Sequence, residues 1–277
     1  MSIETRDLTG GVGREVLGVD LSEELADDVK DAIREALSSH CALLFRGQSL
    51  QPQEQIRFTE IFGEPQPHPL KTRRTVDGFP QVLILENRPG KRGAPNDYWH
   101  SDISHSKTPP SLSILHSLKV PEGRGDTMIC NMYAAWESLS DGMREMLGKM
   151  RAEHSGEATV RRSQIAGQDA LPLTDIPAPS MHPVGRTHPQ AGRVALFINP
   201  EHFTTRFEDM TKEESQPLMD FLNRHATKPE NIYRHRWAVG DVLMWDNRCT
   251  MHYAVRDYDE SMPRLMHRTT VGGEVPV

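Results

Sequence analysis

The chain of 277 residues is long enough to bury a sizeable core, as one large domain or two small ones. Hydrophobic residues make up 36% and charged residues 26%, a balance that fits a folded globular chain, and the net charge of −7 gives no footing to a nucleic-acid or anionic-membrane partner. Cys41, Cys130 and Cys249 share no short spacing, which argues against a disulfide framework or zinc finger and suits a reducing cytoplasm; no apolar run approaches the ~18 residues of a membrane helix, and Met1 to Asp7 lack the apolar core of a signal peptide.

A helix is predicted from Ser22 to about Ser39. Ser22 is its cap, Glu23 and Glu24 sit in its first turn, and Leu25, Val29, Ala32, Ile33, Ala36 and Leu37 form one apolar face. Cys41 to Phe45 reads as a buried strand. Pro52 to Phe62 reads as a second helix, with Pro near its start and Gly63 past its end. The pattern then becomes strand-like at 82–85, 112–117, 127–130, 194–198, 232–237, 242–245 and 264–271, each bounded by Pro, Gly or Asn. Helices interrupt at about 134–150 and 213–225, the second opened by a Thr211 and Glu214 capping box and interrupted by Pro217. Residues 155–193 are rich in proline with little periodicity, the pattern of a mobile lid or insert. The expectation is one domain over 1–277, mainly β with helical cover (α+β), built as a sandwich or barrel. Trp99, Trp136, Trp237 and Trp245 read as core, Cys249 as packed, His182 and His188 as loop surface, and Lys71, Arg73 and Arg74 as a solvated basic cluster.

The chemistry concentrates in three places. In Tyr98-Trp99-His100-Ser101-Asp102, strand geometry would aim His100 and Asp102 at one point, because residues i and i+2 share a face. About 150 residues further along, His252 follows a strand and turn. Two histidines and one carboxylate form the facial triad of non-haem Fe(II), although the same donors also suit zinc. In Arg264-Leu265-Met266-His267-Arg268, both arginines fall on one strand face. Two guanidinium groups there call for two anions, a co-substrate and a substrate.

Trp99-His100-Ser101-Asp102, Gly125-Asp126-Thr127, Trp245-Asp246-Asn247-Arg248 through His252-Tyr253, and Arg264-x-Met266-His267-Arg268 resemble the taurine dioxygenase family. That family includes the phenoxyalkanoate dioxygenases and comprises Fe(II)- and 2-oxoglutarate-dependent oxygenases. The resemblance runs from Leu43-Leu44-Phe45-Arg46 to Val271. It implies a double-stranded β-helix (jelly roll) with iron held by His100, Asp102 and His252. It implies that Thr127 and Arg264 hold 2-oxoglutarate, that Arg268 holds the acidic head of the substrate, and that His68 and Asn96 line the substrate pocket. Lys71 stands where the taurine enzyme has a tyrosine, so it marks a pocket adapted to a substrate other than taurine. The implied reaction uses O2 and hydroxylates a small organic anion of aryloxyalkanoate or alkylsulfonate type beside a heteroatom, with cleavage of the product. A cytoplasmic homo-oligomer is expected. The alternatives are a zinc-dependent hydrolase, which would not need the paired arginines, and a non-catalytic metal-binding jelly-roll protein.

Overall fold

A computed structural model describes residues 3–68, 73–87, 89, 96–165 and 176–277. The chain opens with β1 (Glu4–Asp7) and β2 (Arg14–Leu17), then α1 (Asp27–His40), β3 (Ala42–Phe45) and α2 (Pro52–Glu60). It continues through β4 (Thr75–Val76), β5 (Phe79–Asn87), β6 (Leu112–Lys119) and β7 (Thr127–Asn131). Two short helices follow, α3 (Met132–Glu137) and α4 (Asp141–Leu147), then β8 (Arg151–His154) and α5 (Glu157–Ile165). The remainder is β9 (Ser180–Pro183), β10 (Gly185–Thr187), β11 (Val194–Leu196), β12 (Thr204–Phe207), α6 (Lys212–Ala226), β13 (Ile232–His235), β14 (Val242–Asp246), β15 (Thr250–Ala254) and β16 (Arg264–Val271).

Eight strands form one sheet in the order β1-β2-β3-β14-β6-β16-β5-β4, antiparallel throughout except for β2 against β3. Its central strands are buried on both faces, which is why they read as continuous apolar runs. Alternation then sorts their side chains. Leu43, Phe45, Leu112, Ile114, Val242, Met244 and Val271 pack towards α1 and α2 with Ile33, Leu37 and Phe58. Ala42, Leu44, Leu115, Leu243, Trp245 and Met266 point the other way. There they meet Ile129 and Tyr233 of a smaller sheet, β13-β7-β15. The backs of β7 and β15, with Cys130 and Met251, pack on α3 and α6.

Register places the chemistry between these two sheets. On β16, Arg264, Met266 and Arg268 pair with Asn87, Leu85 and Leu83 and share the inner face with Leu115 of β6. On the small sheet, His252 pairs with Ile129 and Ala254 with Thr127, so His252 and Thr127 also face inward.

Several local expectations change. Ser22 is not a cap: its amide and hydroxyl both donate to Asp20, and α1 starts five residues later. The helix expected over 134–150 is two helices, because Asn131 caps the first and Ser140 caps the second. The capping box at Thr211 and Glu214 is present, and α6 continues through Pro217. His182 and His188 are buried, donating to the Ser106 carbonyl (2.9 Å) and the Asp246 carboxylate (3.0 Å). Thus β9, β10 and His188 just after them are built into the body of the fold, while 166–175 of the expected lid lies outside the described residues. Trp99, Trp237, Trp245 and Cys249 are buried as expected, and Trp136 is half-buried. No helix among the described residues is long and apolar enough to cross a membrane.

Candidate metal centre and its surroundings

His100, Asp102 and His252 are all buried, and their donor atoms lie within 4.8 Å of one another. His100 and His252 meet as a two-residue bridge, exchanging backbone hydrogen bonds of 3.0 and 2.7 Å. Their rings stand 4.1 Å apart. The strand geometry expected for His100 and Asp102 does not hold, because only His100 is bridged and Asp102 opens a turn. Side chains fix that turn instead. The Ser101 amide donates to Asn199 Oδ1 (2.6 Å), the Ser101 hydroxyl to the Thr250 carbonyl (2.6 Å), and the Asp102 amide to Asn247 Oδ1 (3.4 Å).

The donor set suits a divalent metal. A carbonyl only accepts, so His100 Nδ1 must carry the proton it donates to the Tyr98 carbonyl (2.8 Å), which leaves Nε2 bare for a ligand. His252 turns Nε2 towards Asp102 Oδ1 at 3.9 Å. Burial depresses the pKa of both histidines and keeps them in the neutral, ligating form. Burial alone would raise the Asp102 carboxyl, but the Arg268 guanidinium, helped by the Ser113 hydroxyl, outweighs it and holds the group ionised. Two imidazoles and one carboxylate with open positions match the non-haem Fe(II) triad.

Arg268 sits 2.8 Å from Asp102 Oδ2 and 3.3 Å from the Ser113 hydroxyl, and its Nε has no partner. It also lines a cleft of about 390 Å³ with His68, Gln81, Leu83, Ile103 and Thr270. Arg264 lies elsewhere on the same face, beneath Gly125 and Tyr258. It has no carboxylate partner among the described residues, and burial penalises its charge, partly offset by the Tyr258 phenol. Thr127 Oγ1 accepts from Trp237 Nε1 (3.0 Å), so its own proton is free to donate to an anion. The Asn96 carbonyl accepts from the Ala254 amide (3.1 Å), which ties it to the strand carrying His252. Lys71 lies outside the described residues. Over this end of the site α5 packs, with the Arg162 guanidinium 4.6 Å above the Tyr98 ring and Thr159 Oγ1 2.6 Å from His202 Nε2.

Two supporting residues escaped the sequence reading. Ser113 donates to Asp102 Oδ2 (2.6 Å) and accepts from Asn247 Nδ2 (3.1 Å). Asn247 Oδ1 also accepts from Trp245 Nε1 (3.1 Å), and the Trp245 ring lies 4.6 Å from that of His252. Asn247 therefore braces donors carried by two distant segments. A serine interrupting the apolar run of β6 was the available signal. Asn247→Ala is expected to weaken divalent-metal affinity about ten- to a hundredfold, as loss of an outer-shell partner does. Titration with Mn(II) measures it, and unchanged affinity would show that the brace is idle.

A strand-built chamber with this donor set defines a metal-dependent enzyme of the two-histidine, one-carboxylate type. The description "Taurine catabolism dioxygenase TauD, TfdA family" matches residues 4–270. The chain is similar to an alpha-ketoglutarate-dependent sulfate ester dioxygenase from Pseudomonas putida, 37% identical over all of this chain and 92% of that protein. It is similar to an alpha-ketoglutarate-dependent 2,4-dichlorophenoxyacetate dioxygenase from Cupriavidus pinatubonensis, 32% identical over 91% of each. A crystal structure of a taurine dioxygenase from Burkholderia xenovorans superposes with a TM-score of 0.84 at 33% identity, covering all of this chain and 91% of that one. The chain belongs to the TauD/TfdA family. It is an alpha-ketoglutarate-dependent dioxygenase, working with Fe(II), 2-oxoglutarate and O2.

Proposed function

We propose that this dioxygenase hydroxylates a small organic anion with one acidic head and an uncharged body, of the sulfate ester, alkylsulfonate or aryloxyalkanoate type. The observation that carries this reading is the cleft beside Asp102: among its described lining residues Arg268 is the one cation and there is no carboxylate. An ammonium group, as in taurine, would find no counter-charge among those lining residues.

In this reading His100, Asp102 and His252 hold Fe(II), which supplies O2 activation coupled to decarboxylation of 2-oxoglutarate to succinate. Arg264 and the Thr127 hydroxyl grip the far carboxylate of 2-oxoglutarate by charge-assisted hydrogen bonds. Arg268, with His68 beside it, holds the substrate head, and Asn96 borders the pocket. No side chain acts as acid or base at the C–H bond; the protein contributes position and electrostatics. A hydroxyl placed on a carbon bearing a sulfate or aryloxy oxygen lets that C–O bond break, giving a carbonyl product and the released anion. We also infer that the two facing sheets form the double-stranded β-helix in a single domain over 1–277, that α5 is the described part of any lid, and that the enzyme is a cytoplasmic homo-oligomer. The zinc hydrolase and non-catalytic readings have no support in the family relationship.

A panel of alkyl sulfates, alkanesulfonates, aryloxyalkanoates and taurine, assayed for succinate formation and substrate loss, tests the reading. Efficient turnover of taurine alone would overturn it. Arg268→Ala is expected to weaken the preferred substrate about ten- to a hundredfold, the loss of roughly 1.5–3 kcal/mol for a charged hydrogen bond, while leaving 2-oxoglutarate binding largely intact. Because Arg268 also touches Asp102, metal affinity is measured in parallel, and an equal loss for substrate and metal would remove the assignment.

A further inference from the structure

We propose that Tyr258 is the end wall of the co-substrate pocket and sets the length of the 2-oxo diacid that the enzyme accepts. The inference rests on the reading of Arg264 as the anchor for the far carboxylate.

Tyr258 lies in the segment between β15 and β16, and that segment is pinned on both sides of it. The Gly125 amide donates to Asp257 Oδ1 (2.8 Å) and Arg124 to the Asp257 carbonyl (2.7 Å). On the other side, Asn87 Nδ2 donates to the carbonyls of Asp259 and Met262, both at 2.8 Å. Asn87 is the cross-strand partner of Arg264, so the segment is folded back over that arginine. The Tyr258 phenol is the polar group set against the Arg264 guanidinium, and Arg264 Nε is otherwise without a partner.

The close fit shows at Gly125, whose φ of +72° favours glycine. A Cβ there would lie 3.1 Å from Tyr258 Cε1 and 3.4 Å from Arg264 Nε. Gly125 stands two residues before Thr127. A guanidinium only donates, so the Tyr258 oxygen can meet Arg264 only as an acceptor, which leaves its own O–H for an arriving carboxylate. The Thr127 hydroxyl is left in the same condition by Trp237. The segment that carries the ring is held at Asp257, Asp259 and Met262, so a diacid one methylene longer would have to displace the ring. Discrimination by one methylene typically reaches 10- to 200-fold.

The test is calorimetric titration of the full-length, Mn(II)-loaded chain with 2-oxoglutarate and with 2-oxoadipate, which reads binding and not turnover. The wild type is expected to prefer 2-oxoglutarate at least tenfold. Tyr258→Phe should weaken 2-oxoglutarate three- to tenfold and keep the preference, since the wall stays and only the hydroxyl goes. Tyr258→Ala should bring the two affinities to within threefold; Tyr258→Leu replaces it if the alanine variant does not fold. A small-residue variant that keeps the wild-type preference, or a wild type without one, overturns the proposal. Arg264→Ala separates the two readings. If it leaves 2-oxoglutarate binding unchanged, the anchor itself is misassigned. If it abolishes binding while the Tyr258 variants match wild type, only the wall is wrong.

Discussion

Asp102→Ala is expected to abolish 2-oxoglutarate-dependent turnover and Mn(II) binding together, and His100→Ala to do the same. The two variants should differ in stability. Asp102 and Arg268 are 7% and 11% exposed and 2.8 Å apart, so removing the carboxylate leaves a buried guanidinium without its counter-charge. Breaking such a pair costs about 3–5 kcal/mol. His100→Ala removes one donor from the Tyr98 carbonyl, a loss of about 1–3 kcal/mol. Metal titration and thermal unfolding of both variants check this. Full turnover with metal still bound would remove Asp102 or His100 from the ligand set. Equal unfolding midpoints would show that the pair with Arg268 contributes nothing.

Arg264→Ala is expected to raise the 2-oxoglutarate requirement about ten- to a hundredfold, equivalent to roughly 1.5–3 kcal/mol for a lost charged contact. The folded protein should not suffer in proportion. Arg264 has no carboxylate partner among the described residues, and its charge is penalised by burial, so the native state gains little from it in isolation. A large loss of 2-oxoglutarate affinity with an unchanged unfolding midpoint is the expected signature. An unchanged requirement would mean that another cation holds the carboxylate.

The sequence made the inner architecture readable wherever one rule sufficed. The strand over 264–271 and its inward Arg264, Met266 and Arg268 follow from alternation, and the observed register keeps it. Buried central strands announced themselves as apolar runs at Cys41 to Phe45 and 242–245. The three candidate metal donors were picked out by residue type and motif, and the fold brings them together, although the expected strand from His100 to Asp102 was wrong. That turn is held by Asn199, Thr250 and Asn247, partners far along the chain that no local pattern contains. The same reason hid the burial of His188, whose Nε2 meets the distant Asp246, and the break between α3 and α4, where two capping side chains outweighed a continuous helical pattern. The contact of Arg268 with Asp102 joins two motifs that had been assigned separate tasks.

The backbone bridge between His100 and His252 joins segments about 150 residues apart. Closing a loop of that length costs on the order of 4 kcal/mol of chain entropy, and the cost is met only when both sheets are in place. With His100, Asp102 and His252 as the proposed ligands, a growing chain on the ribosome carries two donors long before the third exists, and a product cut short before β15 lacks the third. Metal uptake is consequently a reporter of completed folding, and its free energy is shared by the whole molecule. Saturating Mn(II) should slow amide exchange across β6, β7, β15 and β16 alike, and not only in the turn at Asp102.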